Sequence, residues 1–229
     1  MTTNLRKTLV AFAAFAALAA CVGQAGAQTT VTVNPGAAWI GYMNVSNLPA
    51  PDGDGAFQFG SGWGTADLTA TFAGSVLTLG PNTIGDPDPY WYIGGGGPGA
   101  AGNKIMEANM YVEETGTLNG QNVTFTGNVL SNTFTQAHTA EAFIRDFAPD
   151  YSSFDETVIP LTPGVFSISL ATNPDAGRHV QYGFTTTGVN VWATDVGPYG
   201  SVQVTGVPEP ATIALAGLAL LGVARLRRR

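Results

Sequence analysis

His138 and His179 are the only histidines, 41 positions apart, so a histidine-based hydrolytic site would have to be assembled by folding. No G-x-S-x-G turn, phosphate-binding glycine loop, H-E-x-x-H pattern or dinucleotide fingerprint accompanies them. Glu107, Glu113 and Glu141 fall on expected strands and are the candidates for a glycosidase pair, whose carboxyl groups must lie about 5–9.5 Å apart. Acidic exported domains scatter such residues in any case, and without a signature the chain reads as non-catalytic.

Two aspartate pairs offer metal chemistry. Asp52-Gly53-Asp54-Gly55 opens like a calcium loop, but Ala56 occupies the fifth place and Trp63 stands where a bidentate Glu belongs. An EF-hand is thereby excluded. Asp86-Pro87-Asp88 adds two more carboxylates on a stiff turn. A Ca²⁺ site assembled from Asp52, Asp54, Asp86 and Asp88 is the one candidate cofactor site, with plain aspartate turns as the alternative. Tyr90-Trp91-Tyr92 beside four glycines places flat rings where pyranose rings could stack, and forms the candidate carbohydrate site. The alternative is that these rings pack down and pin a long loop. Trp39, Trp63 and Trp192 read as core.

The elements that must position these groups are strands. In 229 residues the chain holds 30 Gly and 14 Pro, with only 11% charged residues. Between the turns, alternation dominates: Ile105 to Glu113 puts Met106, Ala108, Met110 and Val112 on one side. Val180, Tyr182 and Phe184 alternate likewise, as do Phe166, Ile168 and Leu170, and Ala73-Gly74-Ser75 marks a hairpin. Residues 81–103 and 148–163 read as loops, being rich in Gly and Pro, or in Pro and acidic residues. Ten to twelve strands predict an all-β fold, an antiparallel two-sheet sandwich of jelly-roll type over residues 28–206.

Charge narrows the partners. Between residues 28 and 206 only Lys104, Arg145 and Arg178 oppose fifteen carboxylates, a surface that repels nucleic-acid phosphates and anionic lipid. The single cysteine, Cys21, allows no intrachain disulfide, so the core must hold the domain together.

Both ends differ from this body. Residues 1–27 have a basic start (Arg6, Lys7), an apolar run from Leu9 to Ala20 and an A-x-A site at Ala25–Ala27. They predict a signal helix cut by signal peptidase before Gln28. A second reading makes Leu18-Ala19-Ala20-Cys21 a lipobox with Cys21 acylated. Residues 207–229 run Val207-Pro208-Glu209-Pro210, then apolar Ala211 to Ala224, then Arg225 to Arg229 with one leucine among four arginines. The apolar stretch predicts a helix of about 21 Å, short against a hydrocarbon core of roughly 30 Å. The arginines would hold its end on the cytoplasmic side.

This three-part tail resembles the PEP-CTERM sorting signal of Gram-negative bacteria. The resemblance covers residues 207–229 alone, and it implies that Pro208, Glu209 and Pro210 are read by exosortase, a membrane-embedded thiol transpeptidase. It also implies removal of 211–229 and a place in the cell envelope, on the surface or in an extracellular polysaccharide (biofilm) matrix, after transient membrane anchoring through 211–224. The resulting expectation is an exported, non-catalytic protein adhering to polysaccharide, with a matrix-structural protein lacking a specific ligand as the alternative. Glu209 supplies the one charge an enzyme can read between the prolines. Glu209→Ala is therefore expected to leave a larger, membrane-held precursor, seen by C-terminal peptide coverage in the native host. A simple anchor would be indifferent to that change, and mature wild-type protein retaining Arg229 would refute processing.

Overall fold

Alternating burial along the chain sets the architecture. The structure, a computed structural model, describes residues 27–135 and 137–207. Cys21, Ala25, most of the expected signal helix, the Pro208-Glu209-Pro210 motif and the apolar stretch 211–224 lie outside the described residues. Twelve strands form: β1 (Gln28–Thr32), β2 (Ile40–Asn47), β3 (Phe57–Trp63), β4 (Ala70–Ala73), β5 (Val76–Leu79) and β6 (Lys104–Thr115). They continue with β7 (Asn122–Asn132), β8 (Thr139–Phe147), β9 (Phe154–Pro160), β10 (Gly164–Ala171), β11 (His179–Val189) and β12 (Val202–Thr205). Among the described residues the only helical element is the single 3₁₀ turn Gly197–Tyr199, and no helix is long and apolar enough to cross a membrane.

The strands make two six-stranded sheets, so the all-β, two-sheet expectation holds. The first runs β4-β5-β12-β7, with β10 on the far side of β7. β1 lies beside Asn122–Thr126 of β7, sharing that edge with β12, which lies beside Asn128–Asn132. The β1–β7 pair is parallel, and every other strand pair is antiparallel. The second sheet runs β3-β2-β6-β11-β8-β9, with the long strands β6 and β11 at its centre.

Period-two burial joins the sheets. Met106, Ala108, Met110 and Val112 of β6 are at most 4% exposed and face Val123, Phe125 and Val129 of β7, themselves buried. Phe125 is the hub: its ring lies 5.3 Å from Phe166, and 5.4 Å from both Tyr182 and Phe184. Gly127 is glycine because a Cβ there would sit 2.6 Å from the Phe166 ring. One end of the core is closed by an ion pair. Fully buried Asp146 accepts the Arg178 Nε–H at 2.8 Å and the Asn173 N–H at 2.7 Å, and the Asp146 carbonyl accepts from Arg178 Nη2 at 2.7 Å. With its lone pairs matched, this buried carboxylate is tolerable where a bare one would not be.

One expectation is corrected. Residues 148–163 contain β9, paired with β8 from Glu141↔Pro160 to Phe147↔Phe154. Its prolines and acids read as loop, yet β9 is the edge of its sheet, where a terminal Pro160 and exposed Asp155 and Glu156 cost nothing in lost ladder bonds. Residues 81–103 do form a long connection, crossed only by the isolated bridges Thr83↔Val191 and Tyr92↔Gly102.

Because these core residues all lie within 28–206, that fragment is expected to show a β-type far-UV circular dichroism spectrum and one cooperative transition. Phe184→Ala should lower its stability by about 3–5 kcal/mol in denaturant titration. A helical spectrum, or melting without cooperativity, would remove the sandwich.

Candidate functional site

The outward positions of the second sheet carry the chemistry. On β6 the residues between the core positions are Glu107, Asn109, Tyr111 and Glu113. The register sets Asn44 and Tyr42 of β2 beside Glu107 and Asn109, and Gln181 of β11 beside Glu113. Beyond Gln181 stand Arg145 of β8 and Glu156 of β9. All of these but Glu156, together with Ile40, Phe147, Phe154 and Tyr151 of the β8–β9 connection, line a groove of about 580 Å³. Gly183, between Tyr111 and Phe143 in the register, leaves a gap that lets those rings approach to 6.4 Å. Phe143 is fully buried although it is on the outer side, because the Arg145 guanidinium covers its ring at 4.0 Å.

The floor carries two clusters of hydrogen bonds. Arg145 donates from Nε to Glu156 Oε1 and from Nη1 to Asn109 Oδ1, each at 2.8 Å. Thr185 donates to the same Asn109 oxygen at 2.8 Å. Glu107 Oε1 accepts from Asn44 at 3.0 Å and from Asn109 at 3.2 Å. Glu113 accepts from Gln181 at 2.7 Å and from the Tyr151 hydroxyl at 3.0 Å, with the His179 imidazole 3.6 Å away. Asn109, Thr185 and Gln181 are buried, so their rotamers are held before any ligand arrives. Burial and the adjacent Glu113 carboxylate push the Tyr151 hydroxyl up to about 12, and the same causes raise Tyr111. Both phenols stay protonated over the physiological range.

Glu107 and Glu113 do not assemble the carboxylate pair expected for glycoside chemistry. Six residues apart on one extended strand, they are separated by roughly 20 Å, twice the span such a reaction uses. Glu141 lies opposite Thr185 and outside the groove lining. His138 is buried against the Gly188 backbone at one end of β8, and His179 sits opposite Phe147 at the other.

The three rings of Tyr90-Trp91-Tyr92 differ in their burial. Tyr92 is fully buried, donating to the Ile84 carbonyl at 2.6 Å and meeting Trp192 edge-on at 5.3 Å. It offers no face to a sugar. Trp91 is half-buried between Tyr90 and Phe59, and Lys104 Nζ covers the ring of Tyr90 at 4.3 Å. Of the four glycines that follow, Gly96 reflects close packing, for a Cβ there would lie 2.7 Å from the Trp192 ring, while Gly94, Gly95 and Gly97 take positive φ. Asn190 holds the loop, donating to the Trp91 carbonyl at 2.9 Å and accepting from the Asn103 and Lys104 N–H groups.

The aspartates serve turns. Asp54 accepts from Ala56 N–H and Asn47, which hold its carboxyl below the usual range. Asp86 accepts from Asp88 N–H, and Asp88 from Tyr90 N–H. Asp52 is exposed, its own N–H closing a turn onto the Pro49 carbonyl at 3.1 Å. Among the described residues no three His, Cys, Asp or Glu side chains gather as a metal cage. Ala27 and Gln28, flanking the expected cleavage point, are exposed, and the Ala27 carbonyl accepts from Asn122 N–H.

The groove itself was hidden in the alternation: the polar set Glu107-Asn109-Tyr111-Glu113 is as regular as the apolar set that reveals the strand. Its partners come from strands distant in sequence, which no local signal pairs. No curated protein and no solved structure matches the chain. Residues 206–229 match the PEP-CTERM protein-sorting motif, so the C-terminal tail of this chain is an exosortase sorting signal, the mark of a protein exported to the cell envelope or surface.

Proposed function

We propose that the body of this exported protein is a non-catalytic adhesion domain that binds polysaccharide in the groove of the second sheet. The observation that carries the reading is the lining: Tyr42, Tyr111, Tyr151, Phe147 and Phe154 alternate with fixed amide and carboxylate groups on a rigid sheet. Pyranose rings present C–H faces that stack on aromatics and hydroxyls that need such acceptors and donors, the mixture typical of ligand sites. Non-catalysis is supported by the separation of Glu107 from Glu113 and by their engagement as acceptors of four side-chain donors. The reading requires no cofactor.

We also read strands β5 to β12 as a jelly roll. What supports it is the order β5-β12-β7-β10 in one sheet and β6-β11-β8-β9 in the other, with β2–β3 and β4 added at edges. The proposed division is a leader over 1–27, a domain over 28–206 and a sorting tail over 207–229. It is supported by a first strand that starts at Gln28 and a last strand that ends at Thr205. In this scheme signal peptidase removes the leader, and 211–224 anchors the precursor until exosortase acts.

On a glycan array, the full chain should bind a subset of polysaccharide fragments. Tyr151→Ala, at a ring 48% exposed and outside the core, should weaken that binding about tenfold, near 1.4 kcal/mol. Tyr90→Ala should leave it unchanged. Loss of binding in Tyr90→Ala but not in Tyr151→Ala would return the site to the 81–103 loop, and no binding to any glycan would favour a matrix-structural role.

A further inference from the structure

We infer that the groove selects polysaccharides carrying free amino sugars, whose ammonium groups pair with Glu107 and Glu113. The inference rests on the polysaccharide reading and adds the chemical class of the ligand.

The lysines and arginines of the described residues are three, and each is engaged. Arg178 is buried in its pair with Asp146. Lys104, 5% exposed, lies over Tyr90 and donates to the Asn103 carbonyl. Arg145 alone reaches the groove, where Glu156 balances its charge at 2.8 Å and Phe143 covers its face. That leaves Glu107 and Glu113 as carboxylates whose partners are amides and a phenol, with the His179 ring at the edge. Hydrogen bonds from neutral donors orient a carboxylate without cancelling its charge, so the groove is a negative, partly dehydrated concavity. A uronate or sulfated chain entering it meets repulsion with no free cation to offset it. A neutral chain is tolerated.

An aminohexose chain gains twice. Its ammonium can donate a charge-assisted hydrogen bond to either glutamate, and Tyr42, Tyr111 and the face of Tyr151 not stacked on His179 attract cations through their ring quadrupoles. Glu107 and Glu113 stand roughly 20 Å apart along β6, a length filled by several sugar units. Two such contacts on one chain act in concert. The aromatic rings are needed as well as the charge, which separates this site from the general acidity of the surface.

The test is binding of the full chain, in mild detergent, to oligomers of glucosamine, N-acetylglucosamine and galacturonate, with oligolysine as a cation that is not a sugar. At about pH 6, below the roughly 7.7–8.0 of an ordinary α-amine, the glucosamine oligomer should bind at least about tenfold more tightly than its acetylated counterpart. Galacturonate should not bind. The preference should shrink between about 0.01 M and 1 M salt, as the Debye length falls from roughly 30 Å to 3 Å. Glu107→Gln and Glu113→Gln, near-isosteric changes checked for fold by circular dichroism, should each lower the amine-to-acetamide ratio several-fold. Equal or tighter binding of the acetylated oligomer, binding of galacturonate, or equal binding of oligolysine would overturn the amino-sugar inference and leave the polysaccharide reading standing. Binding of no oligosaccharide at all would overturn both.

Discussion

The register of β6 is the constraint on which the rest of the structure depends. Its residues 106–113 alternate between the core set Met106, Ala108, Met110 and Val112 and the groove set Glu107, Asn109, Tyr111 and Glu113. A slip of one residue against β2 or β11 would bury two glutamates and expose two methionines. The energy that fixes the fold therefore fixes the site, since no other register satisfies both faces. The neighbours enforce it from both sides, through eight paired residues of β2 and eleven of β11.

The outer face holds polar side chains that are closed to water at its floor, between rings that stay exposed. Asn109 is 2% exposed and Gln181 5%, and burial at that level is tolerable only when each polar atom has a partner. Gln181 donates to Glu113, and Asn109 lies in a chain running from Asn44 through Glu107, Asn109 and Arg145 to Glu156, which ties β2, β6, β8 and β9 together. A side chain held by two or three hydrogen bonds and packed neighbours loses little entropy when a ligand arrives, so the groove is organised in advance. Gly183 is the position where a side chain would disturb this floor, at the crossing of Tyr111 and Phe143.

What could be read from the sequence was whatever a local pattern encodes. The alternation of β6, β10 and β11, the Gly74 turn and the three-part tail are all local, and the structure or the tail match agrees with each. β9 escaped because edge strands keep the prolines and acids that otherwise mark loops. Tyr92, in a glycine-rich run, reads equally as a platform ring or as one packed down; its burial is decided by Ile84, Val191 and Trp192, the last two about a hundred residues away. The groove escaped for the same reason on a larger scale. Glu107 and Arg145 are chemically interesting only beside each other's strands, and that adjacency is set by β11, which enters last between β6 and β8.

The same topology separates the groove from the end of β12. β12 ends at Thr205, paired with Asn128 in the middle of β7, and Gly206 packs closely on the Val33 backbone, where a Cβ would lie 2.7 Å from its carbonyl oxygen. The chain thus leaves the sandwich from the first sheet, and Pro208 follows two residues later. The groove opens on the outer face of the second sheet, with the whole hydrophobic core between the two.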